Sequence, residues 1–388
     1  MGNRLTARFT LPIGYDVIFT RHALHRGNRA LREALEPRAP GAPPRALVVL
    51  DAGLVEAQPA LTGDARAWAE AHCVELAGEP IVIPGGETCK NEPCWVGLIH
   101  DAIAQRGVCR RSYVIAFGGG AALDCAGFAA ATAHRGVRHV RVPTTTLSQA
   151  DSAVGVKNGV NAQGVKNFLG CFSPPDSVIV DAAFLPTLSD RDWRAGIAEA
   201  VKVALLKDPV FFEWIESHVV ALATRDLDTM EQMIHRSADL HLEHITSGGD
   251  PYERGPSRPL DFGHWAAHRL ETLSGYALNH GEAVAIGLGL DLFYSERAGL
   301  LREPVARRVC ALLEAAGFSL ITPWLSAGGT VNPDLLRGLD EFREHLGGEL
   351  TIMLLEDIGR GVEVHTMDPE LVAVAADDLS ARTTEIPA

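Results

Sequence analysis

Short, wholly apolar runs alternate with helical patterns through residues 1–187 of this 388-residue chain, and this alternation constrains the fold more than any other feature. Such runs are typical of strands buried on both faces of a parallel sheet. Their alternation with helices predicts a parallel α/β sheet. The predicted strands are residues 15–20, 46–51, 80–84, 113–117, 137–142 and 177–181, and the predicted helices are residues 25–35, 63–75, 91–106 and 121–133.

From residue 188 onward the pattern changes to one helix after another. We therefore expect two domains, a parallel-sheet α/β domain over residues 1–187 and a mostly α-helical domain over residues 188–388. A late apolar run at residues 350–355 predicts a small hairpin or a return strand. The helical patterns cover residues 190–206, 209–223, 227–246, 261–274, 280–299 and 303–316.

Charge, cysteine content and hydropathy exclude several classes of function. The formal net charge is −14, whereas a nucleic-acid or anionic-membrane surface needs a clustered basic face. The seven cysteines include no CxxC pair, so neither a disulfide framework nor a thiolate zinc site is indicated. The N-terminus lacks the apolar run of a signal peptide, and no stretch reaches the ~20 apolar residues of a membrane span. We expect a cytoplasmic protein with small-molecule partners and no nucleic-acid or membrane partner.

A glycine-rich turn, Gly118-Gly119-Gly120, joins a predicted strand to a helix that carries Asp124. Glycine lets the backbone approach a phosphate at a helix N-terminus, so the turn predicts a dinucleotide or phosphate site. The turn departs from the GxGxxG pattern, and close packing of a strand on a helix also selects glycine.

Three charged residues follow two neighbouring predicted strands: Asp51, Glu87 and Lys90. Carboxylates at the carboxyl ends of parallel strands commonly hold ribose hydroxyls. The alternative is that Asp51 caps a helix and that Glu87 and Lys90 are solvated loop charges.

Polar residues also crowd the segment between the last two predicted strands of the first domain. Lys157, Lys166 and Arg135 concentrate positive charge near the glycine-rich turn of an acidic protein. This pattern predicts an anion cradle for a phosphorylated substrate. An ordinary basic loop is the alternative. The other polar positions of interest here are Thr144, Thr145, Asp151 and Asn167.

Three histidines in one short window, His264, His268 and His280, indicate metal chemistry. On a helix, His264 and His268 would share a face with Cβ atoms about 5–6 Å apart. The glutamate that defines the zincin motif is missing between them, so a peptidase is disfavoured. Taken singly, each histidine is more often a hydrogen-bonded core or surface residue.

Glu199 and Lys202 lie three residues apart among apolar neighbours on the first predicted helix of the second domain. An exposed ion pair fits those neighbours poorly, whereas a buried pair indicates function or tight pairing. Glu199 with two histidines would give a zinc site with three protein ligands and room for a substrate.

Together these motifs resemble the sugar phosphate cyclases typified by 3-dehydroquinate synthase, from about residue 51 to beyond residue 362. The resemblance implies a homodimeric lyase with a Rossmann-like NAD domain, a helical zinc domain and an active site between them. It implies that Glu199, His264 and His280 bind zinc, or cobalt, and that His268 contacts the substrate. It assigns NAD binding to Asp51, Glu87, Lys90, Gly119, Gly120, Asp124, Thr144 and Thr145. It assigns substrate and phosphate binding to Arg135, Asp151, Lys157, Lys166, Asn167 and Lys202.

The chemistry implied by the resemblance uses NAD catalytically. A substrate hydroxyl gives a hydride to NAD while the metal acts as a Lewis acid. Phosphate is eliminated, NADH returns the hydride, the ring opens, and an intramolecular aldol closes a carbocycle. Much of the protein's work would be to hold a flexible substrate in its reacting conformer.

Departures from the 3-dehydroquinate synthase pattern bear on the substrate. Asp261 stands where those enzymes have asparagine before Phe-Gly-His, Arg258 is shifted by one position, and His241 replaces a lysine that helps to hold the substrate carboxylate. Like charges disfavour an ionised carboxylate. These changes favour sedoheptulose 7-phosphate, the substrate of cyclases such as 2-epi-5-epi-valiolone synthase, which the segments 258–265 and 342–348 resemble.

Two alternatives remain at this point. One is a true 3-dehydroquinate synthase acting on 3-deoxy-arabino-heptulosonate 7-phosphate. The other is a metal-dependent polyol dehydrogenase of the glycerol type, which would reduce NAD in net terms.

Overall fold

The computed structural model describes residues 4–248, 252, 259–327, 330–345 and 348–381. The chain divides into two compact units, Met1–Val142 with Val156–Val180, and Pro143–Gly155 with Asp181–Ala388. We call them the sheet unit and the helical unit. The division differs from the boundary expected between residues 187 and 188, because the helical unit starts where the last strand of the sheet ends and also includes an earlier loop.

The sheet unit is built on a parallel sheet, as predicted. Its strands are β1 (Asp16–Thr20), β2 (Arg45–Asp51), β3 (Glu75–Leu76), β4 (Ile81–Ile83), β5 (Tyr113–Gly118), β6 (Arg138–Pro143), β7 (Lys157–Ala162), β8 (Val165–Phe172) and β9 (Ser177–Asp181). Among the described residues, seven strands form one sheet in the order β1-β9-β6-β5-β2-β3, with β4 also paired to β2. Strand β2 runs parallel to β3, β4 and β5, and β6 runs parallel to β9. The apolar strands β2 and β5 are buried almost throughout, which explains their uninterrupted apolar sequences.

The helices of the sheet unit are α1 (Ala30–Glu33), α2 (Ala52–Ala57), α3 (Leu61–Ala71), α4 (Glu87–Asn91), α5 (Cys94–Gln105), α6 (Gly120–Thr132) and a 3-10 turn (Ala133–Arg135). Three of these helices, α3, α5 and α6, follow the sequence prediction, whereas α2 and α4 were not predicted. The helix predicted over 25–35 is wrong in length. Its first half forms turns, since the Asn28 amide donates to His25 O, and the Asn28 side chain then accepts from the Ala30 amide at the start of α1.

Residues 157–172 form an antiparallel hairpin where the sequence indicated only a polar loop. Gln163 and Gly164 connect β7 to β8, and both have positive φ, +54° and +75°. Positive φ at both central residues is what a type I′ hairpin turn requires. The hairpin carries Lys157 at its open end and Lys166 next to the turn.

The helical unit consists mostly of helices, as predicted. They are a π-helical turn (Ser148–Ser152), a 3-10 helix (Ala182–Thr187), α7 (Asp190–Lys207), α8 (Pro209–Ala223), α9 (Leu227–Ser247), α10 (His264–Leu273), α11 (His280–Arg297), α12 (Val305–Ala315), α13 (Pro333–His345) and α14 (Pro369–Ala381). The short strands are β10 (Ser326–Ala327), β11 (Thr330–Val331), β12 (Ile352–Asp357) and β13 (Arg360–Val364). The expected late hairpin is β12 with β13, whereas α13 and α14 were not predicted.

The described part of the chain holds no helix that is both long and apolar enough to cross a membrane. All seven cysteines lie in this part, and all are free thiols. Arg258 lies outside the described residues, so the substrate argument that uses it stays a prediction.

Candidate active site

The first long helix of the helical unit buries Glu199 and Lys202. Every residue from 195 to 206 on α7 is buried. Gly196 permits this close packing, because a Cβ there would lie 2.6 Å from the backbone carbon of Thr146. The Glu199 and Lys202 side chains are 1% and 6% exposed, and Lys202 Nζ lies 2.6 Å from Glu199 Oε2. An exposed ion pair, the alternative left open by the sequence, is thereby excluded.

Two further helices begin at two of the predicted histidine ligands. His264 is the first residue of α10 and follows Gly263, whose φ of +76° is left-handed. His280 is the first residue of α11, and a reciprocal capping box between Asn279 and Glu282 fixes that helix start. Both imidazoles are therefore held by regular secondary structure, which positions side chains more accurately than a loop does.

These two imidazoles converge on Glu199. Oε1 of Glu199 lies 3.5 Å from His264 Nε2 and 3.2 Å from His280 Nε2, and the three donor atoms all lie within 4.8 Å of one another. A tetrahedral zinc ion with bonds of about 2.0–2.1 Å separates its ligand atoms by about 3.3 Å. Oε1 is buried and accepts no well-directed hydrogen bond from a described residue. Donor set, spacing and the unsatisfied oxygen all fit a zinc-like cation. We call these three residues the metal centre.

The remaining ring nitrogens of the metal centre face acceptors. His264 Nδ1 lies 3.1 Å from the carbonyl oxygen of Phe262, and His280 Nδ1 lies 3.3 Å from Oε2 of the buried Glu271. Metal-binding histidines usually donate their second ring N–H to such groups, which fixes the tautomer that leaves Nε2 for the metal. Glu271 was not predicted from sequence, although its place seven residues after His264 on an amphipathic helix was a usable signal.

The charges of the metal centre favour an ionised carboxylate. Burial raises the pKa of Glu199, but Lys202, His264 and His280 outweigh burial, and the pKa lies well below its usual range. Burial lowers the pKa of Lys202, but its acidic neighbours outweigh that effect and the pKa is raised. Both groups are therefore charged near neutral pH, as a cation ligand and its buried counter-charge need to be.

His268 lies one turn after His264 on α10, as predicted. Its ring stacks on that of His280, with centroids 5.9 Å apart. His268, Glu271 and His280 form a second possible metal set that shares His280. Glu271 faces the Nδ1 atom of His280, whereas Oε1 of Glu199 faces the Nε2 atoms of both histidines without a well-directed hydrogen bond, so we favour the Glu199 set. The role of His268 in substrate binding stays a prediction.

Asp151 lies in the π-helical turn of the helical unit, a feature frequent at functional sites. Its Oδ1 atom lies 2.9 Å from Nδ1 of His241. Burial raises the pKa of Asp151, but His241 and Lys202 outweigh it and lower the pKa to about 2. Glu199 contacts Lys202, and Asp151 and Asp261 act on it at longer range, so three carboxylates raise the pKa of one ammonium. His241 was noticed in the sequence as a replacement, but its pairing with Asp151 was not predicted.

In the sheet unit, Asp51 packs against two glycines, Gly85 and Gly118. A Cβ on Gly85 would lie 2.6 Å from Asp51 Oδ2, and one on Gly118 would lie 2.9 Å from Asp51 Cβ. The Asp51 carboxylate accepts a hydrogen bond from the Gly53 amide at 2.8 Å and so caps α2. Burial raises its pKa. The capping role is observed, and a ribose contact stays a prediction. Gly119 caps α6, whose first residue is Gly120.

Five of the predicted NAD and substrate residues lie together in the sheet unit. Lys90 is buried, lies 2.7 Å from Asp124 Oδ2 and donates to Asn167 Oδ1. Lys166 Nζ lies 3.6 Å from Glu87 Oε1. Glu87 also accepts a hydrogen bond from a hairpin asparagine. We call Glu87, Lys90, Asp124, Lys166 and Asn167 the lysine cluster. Glu87 and Lys90 are therefore not solvated loop charges.

A fully buried arginine anchors the hairpin that carries Lys157, and the sequence did not single it out. Arg141 on β6 donates to the carbonyl oxygen of Lys157 at 2.7 Å and to Asn158 Oδ1 at 2.8 Å. Asn158 in turn donates to Ser173 O at 2.9 Å. Gly127 on α6 leaves room for this contact, because a Cβ there would lie 1.9 Å from Asn158 Oδ1. The start of the hairpin is thus tied to the sheet.

Three predicted residues have no structural partner that supports their assigned role. Arg135 is exposed at a φ of +64°, and its side chain has no hydrogen-bond or ion-pair partner among the described residues. Thr145 Oγ1 lies 2.8 Å from Ser148 Oγ, which is a local turn contact, and Thr144 is buried. Both threonines belong to the helical unit, whereas the other predicted NAD residues belong to the sheet unit.

Two family models match adjoining parts of the chain. The 3-dehydroquinate synthase N-terminal model matches residues 80–195, and the 3-dehydroquinate synthase C-terminal model matches residues 196–331. A 3-dehydroquinate synthase from Nitrosospira multiformis is 41% identical over 300 residues, which cover 76% of this chain and 79% of that protein.

Solved structures of cyclases share the fold. ValA, a 2-epi-5-epi-valiolone synthase from Streptomyces hygroscopicus with NAD⁺ and Zn²⁺ bound, is 30% identical with a TM-score of 0.87, covering 97% of this chain and 100% of that one. A 2-deoxy-scyllo-inosose synthase with carbaglucose-6-phosphate, NAD⁺ and Co²⁺ is 22% identical with a TM-score of 0.78, covering 93% and 96%, and shows the fold alone.

The sequence identity, the adjoining family matches and the fold all agree with the resemblance found from the motifs. This chain belongs to the 3-dehydroquinate synthase family of sugar phosphate cyclases.

Proposed function

We propose that this protein is an NAD- and metal-dependent cyclase that converts sedoheptulose 7-phosphate to a carbocycle. The observation that carries the proposal is the buried Oε1 atom of Glu199, which faces two imidazole nitrogens and accepts no well-directed hydrogen bond from the described residues. The NAD⁺ and Zn²⁺ bound to ValA support the same pair of cofactors here, and the Co²⁺ in the inosose synthase makes cobalt an alternative.

Glu199, His264 and His280 would hold the metal, with Lys202 as the counter-charge behind the carboxylate. When bound, the metal would supply Lewis-acid stabilisation of a substrate alkoxide, and NAD would accept and later return a hydride. Asp51 would orient the ribose, and the Gly119–Gly120 helix start would receive the pyrophosphate. Lys157, Lys166 and Asn167 would hold the substrate phosphate.

The charge balance around Lys202 supports a substrate without a carboxylate. Three carboxylates, of Glu199, Asp151 and Asp261, act on Lys202, and Asp151 is also paired with His241. The two charges of a bound divalent metal together with Lys202 would only balance these carboxylates, so the group would offer a substrate carboxylate no net positive charge. Sedoheptulose 7-phosphate carries its only ionised group at the phosphate.

The alternative substrate, 3-deoxy-arabino-heptulosonate 7-phosphate, has support of a different kind. The sequence relative from Nitrosospira multiformis is named a 3-dehydroquinate synthase and is more similar in sequence than ValA, at 41% against 30% identity. On names alone, the relatives favour this alternative over sedoheptulose 7-phosphate.

Phosphate release separates the two substrates. Purified protein is incubated with NAD and Zn²⁺ and with each sugar phosphate separately, while inorganic phosphate and the absorbance of NADH at ~340 nm are followed. We expect phosphate from sedoheptulose 7-phosphate with no net NADH. Release from the heptulosonate alone would make the protein a 3-dehydroquinate synthase, and NADH accumulation with glycerol or another polyol would make it a dehydrogenase.

Two further expectations accompany this proposal. We expect the protein to act in the reducing cytoplasm, where its seven free thiols would persist. We also expect a homodimer, as the family resemblance implies.

A further inference from the structure

A buried carboxylate lies behind the metal centre, and the mechanism does not use it. Asp291 is on α11, three turns after His280, and is 0% exposed. Its Oδ2 atom accepts a hydrogen bond from the Gly263 amide at 3.0 Å, and its Oδ1 atom accepts one from Trp265 Nε1 at 2.8 Å. The two donors belong to the residues immediately before and after the ligand His264.

The backbones of the two ligand-bearing helices touch at the same place. A Cβ on Gly287 of α11 would lie 2.2 Å from the carbonyl oxygen of Gly263, and a Cβ on Gly263 would lie 2.8 Å from the amide nitrogen of Leu288. The two glycines let the start of α10 lie directly on α11. The hydrogen bonds to Asp291 then determine the orientation of the start of α10 on α11.

Stability alone does not explain a carboxylate at this position. Its pKa is raised to about 7 by burial, which the bonds from Trp265 and Gly263 only partly offset. An unpaired buried charge opposes folding, whereas an apolar side chain of similar volume would not. What a carboxylate provides and an apolar side chain lacks is two acceptor oxygens aimed at two donors that flank His264.

We infer that Asp291 is a positioning residue of the metal centre, which sets the affinity for the metal by fixing His264 relative to His280. The inference rests on the proposed metal site. Outer-shell groups that orient a ligand commonly change metal affinity by about 10- to 100-fold when they are removed. Asp291 acts one step further out, through the backbone of Gly263 and the side chain of Trp265.

Metal affinity of the full-length protein tests the inference without recourse to activity. The protein is stripped with a chelator and titrated with Zn²⁺ against a chromophoric competitor, and the thermal midpoint of the metal-free form is measured in parallel. Asp291→Asn keeps the shape but offers one acceptor and one amide donor. We expect it to weaken zinc binding by about 10- to 100-fold and to alter the visible absorption bands of the Co²⁺-loaded form.

Two further variants keep the test decisive. Trp265→Phe removes one of the two donors to Asp291 and should weaken zinc binding about 3- to 10-fold, which is part of the outer-shell effect. If Asp291→Asn does not fold, the zinc affinity of Trp265→Phe tests the positioning role. Ser295→Ala is the matched control, because Ser295 donates to the Asp291 carbonyl oxygen on the same helix without touching α10. It should lower the thermal midpoint and leave zinc affinity unchanged.

The outcomes distinguish the inference from the proposed function. Wild-type zinc affinity in Asp291→Asn, or in Trp265→Phe where only that variant folds, would overturn the positioning role. Failure of the wild-type protein to bind one zinc ion would overturn the metal site itself.

Discussion

The metal centre and the lysine cluster each have a buried charged residue at their centre, Glu199 and Lys90, but they differ in how completely their charges are paired. In the lysine cluster, Lys90 already contacts Asp124 and Asn167, and Lys166 faces Glu87. In the metal centre, Glu199 has one oxygen beside Lys202 and the other beside two imidazole nitrogens without a well-directed hydrogen bond.

This difference in charge pairing shows which of the two groups is the better evidence of a bound ligand. A closed network is stable as it stands, and a ligand that enters it must displace existing partners. An unsatisfied buried oxygen is unfavourable until something binds. The metal centre therefore points to a cation more strongly than the lysine cluster points to NAD or phosphate.

The largest effect is expected when the metal centre loses the Glu199 carboxylate. Glu199→Gln removes a ligand and the counter-charge of Lys202, so zinc affinity should fall by more than the ~100-fold limit of outer-shell changes, and cyclase activity should become undetectable. Metal content after dialysis against a weak chelator measures this. Glu213→Gln, at an exposed position of α8, is the control and should retain one metal per chain.

Arg141→Met should produce the largest loss of stability in the sheet unit. It leaves the Lys157 carbonyl oxygen and Asn158 Oδ1 without their charged donor, which costs about 3 kcal/mol. The midpoint of urea unfolding reports it. Arg66→Met, on α3 of the same unit, breaks an exposed pair with Glu79 and should cost less than about 1 kcal/mol. Equal losses in the two variants would contradict the anchoring role of Arg141.

Lys90→Met tests whether the lysine cluster is closed. It should destabilise the protein by about 2 kcal/mol, because Asp124 loses its partner but remains a quarter exposed. The double variant Lys90→Met/Asp124→Asn should recover part of that loss, as coupled neighbours do. Urea unfolding of both single variants and the double variant gives the coupling energy. Strict additivity would show that the pair is not coupled.

His241→Lys tests the charge argument about the substrate. A second full cation beside Asp151 should raise the ratio of kcat/KM for the heptulosonate to that for sedoheptulose 7-phosphate by about tenfold, equivalent to about 1.4 kcal/mol. His235→Lys, at an exposed position on the same helix, controls for net charge. An unchanged ratio would remove Asp151 and His241 from the account of specificity.

The last prediction concerns pH. The pKa of Asp291 is about 7 in the folded protein and about 3.9 when unfolded, so the folded state binds the extra proton between these values. Its contribution to stability is present at low pH and is lost as pH rises from about 4 to about 7. The thermal midpoint of the metal-free wild type, relative to Asp291→Asn, should fall by a few degrees over that range. A difference that stays constant with pH would contradict the raised pKa.

The fold was largely predictable from sequence, because buried parallel strands and amphipathic helices leave local patterns. Strand β9 and helix α8 begin and end at the predicted residues. The hairpin was not predictable in this way, since polar residues on both strands hide the period-two pattern, and its turn depends on Gln163 adopting a positive φ.

The convergence of Glu199, His264 and His280 was predictable because imidazoles and a carboxylate are chemically distinctive and lie in recognisable motifs. The residues around these groups were harder to predict. Asp291 and Arg141 act through contacts with residues 16 to 28 positions away in the chain, and each looks alone like a helical or strand charge with no special neighbours. Glu271 lies only nine positions from His280, and its place on α10 was a usable signal. Only the packing of α10 on α11, or of the hairpin on β6, brings the partners together.

Isotope transfer tests the central claim, that NAD is used catalytically by a cyclase, most directly. Sedoheptulose 7-phosphate with deuterium at the carbon whose hydroxyl is oxidised is turned over with unlabelled NAD, and the product is analysed by mass spectrometry. We predict that the carbocyclic product retains the deuterium while phosphate is released and no labelled NADH accumulates. A product without deuterium, with the label in free NADH, would contradict the account.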